Sequence, residues 1–591
     1  METRDAPARY ILGVNAGFHD SSAALLRDGE LVAMAEQERL SRRRHAFFES
    51  PSKAIAACLD EAGIDLGALA EIAVGWDIPS LFENEQAGPF DEEEFTAWML
   101  GPVGDAAGPL PPLRFVNHHL AHAASAFYTS GFSEAAILVV DGRGESVATT
   151  LATGGPGGIE TIQTWGINAS LGFFYAMAAE WAGMRMRDAG KLMGLAAYGE
   201  SCQPVPLGVS PEGYAIDGAP SAEMPGSKQF AQLRGRLRSS FEKRNYPYGP
   251  GDLAEIMSHA NFAASIQGGL EDVLLGLART ARKESGHSKL AMAGGVALNC
   301  TANGALTRAG IFDEVWIPPF PHDTGVGLGA ALVAERAGGH SAATPGRMPH
   351  AFWAPATAGP DGDTLAMLGD CEVSRHDDAH LADAVAQHLE DGKLVGWHQG
   401  RAEVGQRALG ARSILCDPRR REALVNANLV KGRETWRPLA PAVLADRAAA
   451  IFDGELPALA DFMLAAWPVR EAARAELPAA VHVDGSARPQ LVRPAQRRYH
   501  DVVEAFHERT GVPAVINTSF NLAGEPIVHS ASDAVGTFLE SGLDVLVLDD
   551  LVAVKPPAQA EQPQKKPSDP EMGFSPPWSR ARLRRERRPK E

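Results

Sequence analysis

Cysteine is scarce in this chain: five among 591 residues, Cys58, Cys202, Cys300, Cys371 and Cys416. The number is odd and no two stand at metal-binding spacing. A disulfide framework and a zinc ribbon are therefore not expected, and a reducing, cytoplasmic setting is. Long apolar runs are missing as well. No stretch approaches the roughly eighteen uninterrupted apolar residues of a membrane span, and no apolar segment follows the polar opening Met1-Glu2-Thr3-Arg4-Asp5, so neither a span nor a signal peptide is expected. Positive charge is in deficit: 55 Lys and Arg against 74 Asp and Glu leave a net charge of −19. Such a chain repels phosphate backbones, so no nucleic-acid partner is expected, although a local basic cluster can still hold a small anion. What remains is ordinary globular material, 45% hydrophobic, with length for two large domains or several small ones.

Against that background one stretch stands out, His118-His119-Leu120-Ala121-His122. If it is helical, His118 and His122 lie on one face about a turn apart, where two ring nitrogens can grip one metal ion. The apolar run Ile137-Leu138-Val139-Val140 reads as a buried strand ending in Asp141-Gly142-Arg143-Gly144-Glu145, and a carboxylate at such a strand end supplies a third ligand. Two His and a carboxylate with positions left open suit a catalytic metal better than a structural one. The pair alone also fits a polar helix with scattered histidines.

Two segments echo each other. Ile11–Val14, the turn Gly17-Phe18-His19-Asp20, then Ser22–Leu26 and Leu31–Ala35 around Asp28-Gly29 predict a strand and a hairpin. The order recurs from Ile137 through Asp141-Gly142 to Val147–Ala152 and Gly154-Gly155. Helical spacing is read over Ser52–Ala62 and Leu120–Tyr128. A duplicated unit of antiparallel strands followed by helices resembles the actin-like ATPase fold, with its ligand in the cleft between the halves; two unrelated hairpins are the alternative. Residues 201–252, rich in Pro, Gly and Ser, read as an insertion with helix near Gln229–Glu242, and helix resumes near Ala254–Glu284. Leu290–Asn299 reads as a strand, the double glycine Gly294-Gly295 and a helix start, a turn that brings backbone N–H groups to an anion. Pro318–Gly329 repeats the theme and offers Asp323 as a fourth metal ligand. An Ala/Pro/Gly-rich bridge over 338–362 marks a domain boundary. A basic, Pro-rich tail over 556–591 is expected to be disordered.

Positive charge concentrates in the second half. Arg401, Arg407, Arg412, Lys431, Arg433 and Arg437 fall within forty residues, interleaved with Gly, Trp and Pro, and His482–Gln490 and Asn517–Asn521 follow. Arginine grips carboxylate and phosphate bidentately and lysine adds a point charge, so a triphosphate together with a second phosphorylated substrate would find cations here. Surface salt bridges would explain the charge but not the interleaving.

Together these blocks resemble the carbamoyltransferase family of antibiotic and nodulation-factor biosynthesis. The blocks are Asn15–Leu25, Asn117–His122, Asp141-Gly142, Gly190–Gly199, Gly294–Asn299, His322-Asp323, Gly405–Ser413, His482–Gln490 and Asn517–Asn521, spread over about residues 10–554. The resemblance implies an α/β chain with two linked sites. A duplicated actin-like (RNase H-like) domain would span 1–345, and a C-terminal YrdC-like α/β domain 362–555. The latter would make carbamoyl-adenylate from carbamoyl phosphate and ATP with Mg²⁺, using Arg407, Arg412, Lys431, Arg437, Arg488, Asn517 and Ser519. The former would pass the carbamoyl group to a hydroxyl of a small natural-product acceptor at a divalent metal, Fe(II) by resemblance, held by His118, His122, Asp141 and Asp323. Gly142, Lys191, Gly194, Gly294, Gly295 and Asn299 would bind the adenylate there, and the Gly294-Gly295 amides would cradle AMP. His19 and Asp20 would serve catalysis, His19 as general base, since a free alcohol is a poor nucleophile; His119 would be structural. Gln406 and Asp188-Ala189 depart from the family pattern without removing a cation or ligand. A tRNA threonylcarbamoyl-type transferase and a non-catalytic nucleotide-binding scaffold are the competing readings, and a homodimer is possible.

Overall fold

The computed structural model describes residues 8–105, 109–202, 204–210, 213–242, 259–339 and 346–556. Its N-terminal portion carries two five-stranded sheets. In the first, β1 (Tyr10–Asn15), β2 (Ser22–Arg27) and β3 (Glu30–Glu36) form an antiparallel meander, and β4 (Leu69–Val74) and β5 (Leu113–Phe115) add in parallel on the other side of β1, giving the order β3-β2-β1-β4-β5. The β2–β3 connection is the tight Asp28-Gly29 turn, with both residues at positive φ as a primed turn requires.

The second sheet repeats the first. β6 (Ala135–Val140), β7 (Val147–Gly155) and β8 (Gly158–Gly166) form the meander. A small hairpin, β9 (Leu207–Ser210) and β10 (Gly213–Ile216), intervenes before β11 (Lys289–Ala293) and β12 (Glu314–Trp316) add in parallel beside β6, giving β12-β11-β6-β7-β8. Two sheets with one pattern of order and direction make the duplication real, and the unrelated-hairpins alternative falls. The central strands β1 and β6 are buried almost throughout, as parallel neighbours covered on both faces require.

Helices fill the space between the sheets. The helix His118–Thr129 and the helix Thr324–Ala337 lie in close contact, the latter also against β1 and β2. That approach explains the glycine run of the second helix. A Cβ at Gly329 would sit 1.8 Å from the Ala121 carbonyl, and one at Gly13 1.9 Å from that of Gly327. The expectation that Gly325–Gly329 form an anion-binding turn is therefore corrected: these glycines are helical and serve backbone packing, and in doing so bring Asp323 to the two histidines.

The second half builds one eight-stranded mixed sheet, with Glu372–Arg375 at one edge and Gln490–Val492 at the other. Its interior strands include Val395–His398, Arg412–Cys416, Ala514–Ser519 and Ala440–Leu444. In the insertion the expected helix runs Gly226–Glu242, three residues longer than read, and the β9–β10 hairpin had no sequence signal strong enough to note. Helix resumes over Ala260–Ser285; the expected start near Ala254, and the tail from 557 onward, lie outside the described residues. Among the described residues no helix is long and apolar enough to cross a membrane.

Candidate active site

The histidine helix opens with Asn117 as its cap, whose side chain accepts the Leu120 N–H (3.1 Å). Glu145 supports the same end, accepting the N–H groups of His118 (2.9 Å) and Asp77 (2.8 Å) and the Asn117 amide (2.7 Å). Its carboxylate is thus committed to the helix start. His118 Nδ1 lies 3.0 Å from the Gly75 carbonyl, and its ring stacks on Trp76, centroids 3.8 Å apart. A carbonyl accepts only N–H, so the proton is on Nδ1 and Nε2 faces inward.

There it meets two carboxylates. His118 Nε2 stands 3.8 Å from Asp141 Oδ2 and 3.7 Å from Asp323 Oδ1, and His122 Nε2 stands 3.5 Å from the same Asp323 oxygen. One donor atom from each of the four residues lies within 4.8 Å of the others, and all four residues are buried. Asp141 is oriented by the Gly295 N–H (2.7 Å), and Asp323 sits at a helix start without capping it. Donors about 2.0–2.2 Å from a shared ion stand roughly 3–4 Å apart, so this spacing is one that a small cation can close. His118 Nε2 and both ring nitrogens of His122 are buried without a hydrogen bond, a costly state that a bound cation would relieve. The donor set of two imidazoles and two carboxylates suits a borderline divalent metal. Burial works against the charge on His118, yet Asp323 and Asp141 push its pKa up to about 10. Burial likewise opposes the Asp141 charge, but the contact with His118 holds its carboxyl at about 2.

Beside this cluster lie His19 and Asp20. His19 Nδ1 is 2.9 Å from Asp20 Oδ2 and 3.7 Å from Asp323 Oδ2, and its side chain is 42% exposed. Withdrawal from water opposes its charge, but Asp323 and Asp20 push its pKa up to about 9. The Asp20 and Asp323 carboxylates thus favour the imidazolium form of His19. The other oxygen of Asp20 takes His45 Nδ1 at 2.9 Å, a residue the sequence gave no reason to single out. His119 is turned away onto Thr150 (2.8 Å), and burial, with His118 beside it, presses its pKa down to about 3, which fits a structural role.

A second constellation has the opposite sign. Lys431 is buried and donates to the Ser519 carbonyl and hydroxyl and to the Asn521 carbonyl and side chain. Burial, then Arg433, Arg437 and Arg44, drive its pKa well below the lysine range. Burial, then Arg437 and Arg488, do the same to Arg433, and burial with Arg488 presses Arg407 down to about 9. Arg433 belongs to this set although the expected list omitted it. Lys191 bonds Glu434 (2.9 Å) with Asp188 nearby (3.3 Å), and Gly194 packs on Trp436 and Pro438 while its carbonyl faces His482 Nε2 (2.9 Å). Lys191 and Gly194 therefore lie on the seam with the cations. Arg407 reaches across and donates to the Leu298 carbonyl (3.1 Å), so the turn after β11 lies between the two constellations.

Several residues expected to bind a ligand have polar groups engaged within the protein. Arg412 is wholly buried, and its guanidinium is spent on the carbonyls of His529, Gln399, Ala411 and Gly400 and on the Thr357 hydroxyl. It knits loops together and offers nothing to an anion. The Gly294 N–H goes to the Pro321 carbonyl (2.8 Å) and the Gly295 N–H to Asp141, so neither amide is available to cradle AMP. Asn299 caps the next helix through the Ala302 N–H and pairs with Gln267. Asn517 donates to Ala408 and Gln490, bracing the loop that carries Arg407. The Gly142 carbonyl accepts the Ser170 hydroxyl (2.7 Å).

Comparison with known proteins decides the family. The model of the carbamoyltransferase N-terminus matches residues 10–84 and 107–332, and that of the carbamoyltransferase C-terminus matches 386–555. This chain belongs to the carbamoyltransferase family. Among curated relatives, nodulation protein NolNO of Sinorhizobium fredii is 36% identical over 577 residues, covering 93% of this chain and 80% of that protein. Nodulation protein NolO of Bradyrhizobium diazoefficiens is 38% identical over 456 residues, covering 76% of this chain and 80% of that protein. Among solved structures, full-length HypF in its phosphate- and nucleotide-bound form matches at 15% identity and a TM-score of 0.31, over 56% of each chain. P. abyssi Sua5 complexed with L-threonine matches at 16% identity and a TM-score of 0.23, over 30% of this chain and 48% of that one. The carbamoyltransferase is thus an enzyme whose reaction moves a carbamoyl group.

Proposed function

We propose that the carbamoyltransferase makes carbamoyl-adenylate at the cationic constellation, water releasing phosphate from carbamoyl phosphate and the freed carbamate oxygen attacking the ATP α-phosphorus as pyrophosphate leaves, and transfers the carbamoyl group to a hydroxyl of a small natural-product acceptor, as in antibiotic biosynthesis, at the His118–His122–Asp141–Asp323 cluster. The observation that carries the reading is the pairing of two sites of opposite sign across one turn. Lys431, Arg433, Arg437, Arg407 and Arg488 repel one another, and an anionic ligand is what relieves them. Phosphate, pyrophosphate and AMP are the anions such a reaction binds and releases.

At the other cluster His118, His122, Asp141 and Asp323 would hold the metal, Fe(II) being our choice. A bound metal would supply Lewis-acid polarisation of the carbamoyl oxygen. The chain's own residues do the rest. His118 is fixed in one tautomer by Gly75, and Asp141 is aimed by Gly295. His19, on the open side with Asp20 behind it, handles the proton that leaves the acceptor hydroxyl, and Asp20 stabilises the resulting imidazolium. The acceptor oxygen forms the new bond to the carbamoyl carbon, and AMP leaves with the bonding pair.

The test is mass spectrometry of products formed from carbamoyl phosphate, ATP, Mg²⁺ and Fe(II) with D-glucose, N-acetylglucosamine, tobramycin or erythromycin. A carbamate of one of these alcohols, with AMP, pyrophosphate and phosphate, is the expected outcome. Consumption of tRNA with all four alcohols untouched would replace this reading by tRNA modification, and nucleotide binding without turnover by a scaffold.

A further inference from the structure

The loop from Arg42 to Phe48 is the most contorted segment among the described residues. Arg42, His45, Ala46 and Phe48 all have positive φ, from 41° to 63°, and none is glycine. Such conformations cost free energy and persist only where surrounding contacts fix them. Here the contacts run in two directions. Toward the C-terminal sheet, Arg42 forks onto the carbonyls of Ile527 (2.7 Å) and Pro526 (3.1 Å) and stands 3.5 Å from Asp533. Toward the N-terminal site, the His45 carbonyl accepts the Asp20 N–H (2.7 Å), His45 Nδ1 meets Asp20 Oδ1 (2.9 Å), and the His45 N–H is held by Glu38 (2.5 Å).

Asp20 itself is in the left-handed region, φ 50°. Its two oxygens are divided between two imidazoles, Oδ1 to His45 and Oδ2 to His19. His45 therefore sets the carboxylate plane, and that plane sets how His19 presents its ring beside Asp323. Phe47 fills the corner between the two histidines, with ring centroids 5.5 Å from His45 and 6.0 Å from His19.

We propose that His45 is a positioning residue for carbamoyl transfer, acting through Asp20 on His19, and that the Arg42–Phe48 loop is the strut by which the C-terminal half holds the transfer site in shape. The proposal rests on the role given to His19 above. It makes the geometry of one site depend on docking against the half that carries the other.

Substitutions that tolerate positive φ isolate the side-chain effect. His45→Asn keeps a donor near the Nδ1 position, whereas His45→Asp has the same shape and repels Asp20. Arg42→Asn removes the fork at the far end of the strut. Transfer is read as carbamate formed from whichever of D-glucose, N-acetylglucosamine, tobramycin and erythromycin the unaltered enzyme carbamoylates fastest, and the first half-reaction as pyrophosphate released from ATP and carbamoyl phosphate. His45→Asp is expected to lower kcat for transfer roughly tenfold to a hundredfold, the scale of a misplaced catalytic group, with acceptor KM and pyrophosphate release unchanged. His45→Asn should stay within about threefold of the unaltered enzyme, and Arg42→Asn should fall between the two. Equal rates for His45→Asn and His45→Asp, or pyrophosphate release falling in step with transfer, would overturn the proposal. If the unaltered enzyme releases pyrophosphate yet carbamoylates none of the four alcohols, the functional reading is what has failed. Crystal structures of the two His45 variants then decide the positioning claim, which is lost if Asp20 and His19 keep their places in His45→Asp.

Discussion

The histidine cluster and the cationic constellation are both withdrawn from water and both carry charge, yet they balance it differently. At the histidine cluster Asp141 and Asp323 face the rings of His118 and His122, so acidic and basic groups meet. At the cationic constellation Lys431 and four arginines face one another, with Glu434 the main carboxylate among them. The first holds itself together. The second is under tension, because removing like charges from water and setting them side by side is doubly unfavourable. A protein can store such tension only where the fold is strong enough to carry it, and here the eight-stranded sheet and the braced Arg407 loop do so.

The largest expected effect tests whether the two regions do separate jobs. His118→Ala should lower carbamoyl transfer on the order of a thousandfold, several kcal/mol of lost charge stabilisation, while pyrophosphate release from ATP and carbamoyl phosphate continues at the normal rate. Parallel loss of both activities would merge the regions into one site. A second experiment exploits the tension. Arg488 has no salt bridge or hydrogen bond among the described residues and adds to the repulsion felt by Arg407 and Arg433. Arg488→Met should cut adenylate formation roughly a hundredfold. The same change should stabilise the ligand-free protein by about 1 kcal/mol, read as a higher urea midpoint. A destabilised variant would show that the constellation is not strained.

The smallest effect is on pH. Lys431 has its pKa depressed in the fold below the ordinary value of about 10.5, so between the two values the unfolded chain binds more protons. Stability should therefore rise as pH rises toward 10.5, and the penalty should be fully present below the depressed value. Urea melts of the unaltered protein minus those of Lys431→Met isolate this slope. Saturating phosphate, worth roughly 2.7 kcal/mol at a hundred times its Kd, should flatten it. A difference that does not change with pH would mean that Lys431 is not held as a strained cation.

Much of this was legible beforehand, for reasons tied to particular residues. The Asp28-Gly29 turn and the alternation of apolar runs announced the meander twice, because turn chemistry and burial act locally. The His118–His122 pair and the cationic run are visible as residue types at short spacing. Glycine was the weakest guide. Gly294-Gly295 and Gly325–Gly329 look alike in sequence, but one orients Asp141 and the other lets two helices touch. Arg412 looked like its neighbours and is instead buried under five hydrogen bonds.

By itself the sequence determined the repeated α/β pattern and the residue types from which each site is made, since these follow from local periodicity and composition, and its ordered motif blocks carried the resemblance to the family. Only the tertiary structure decided which of those residues meet. Asp323 joins histidines two hundred positions away because helix packing without side chains allows it, and His45 reaches Asp20 because the far half of the molecule holds its loop in a conformation that a free chain would abandon.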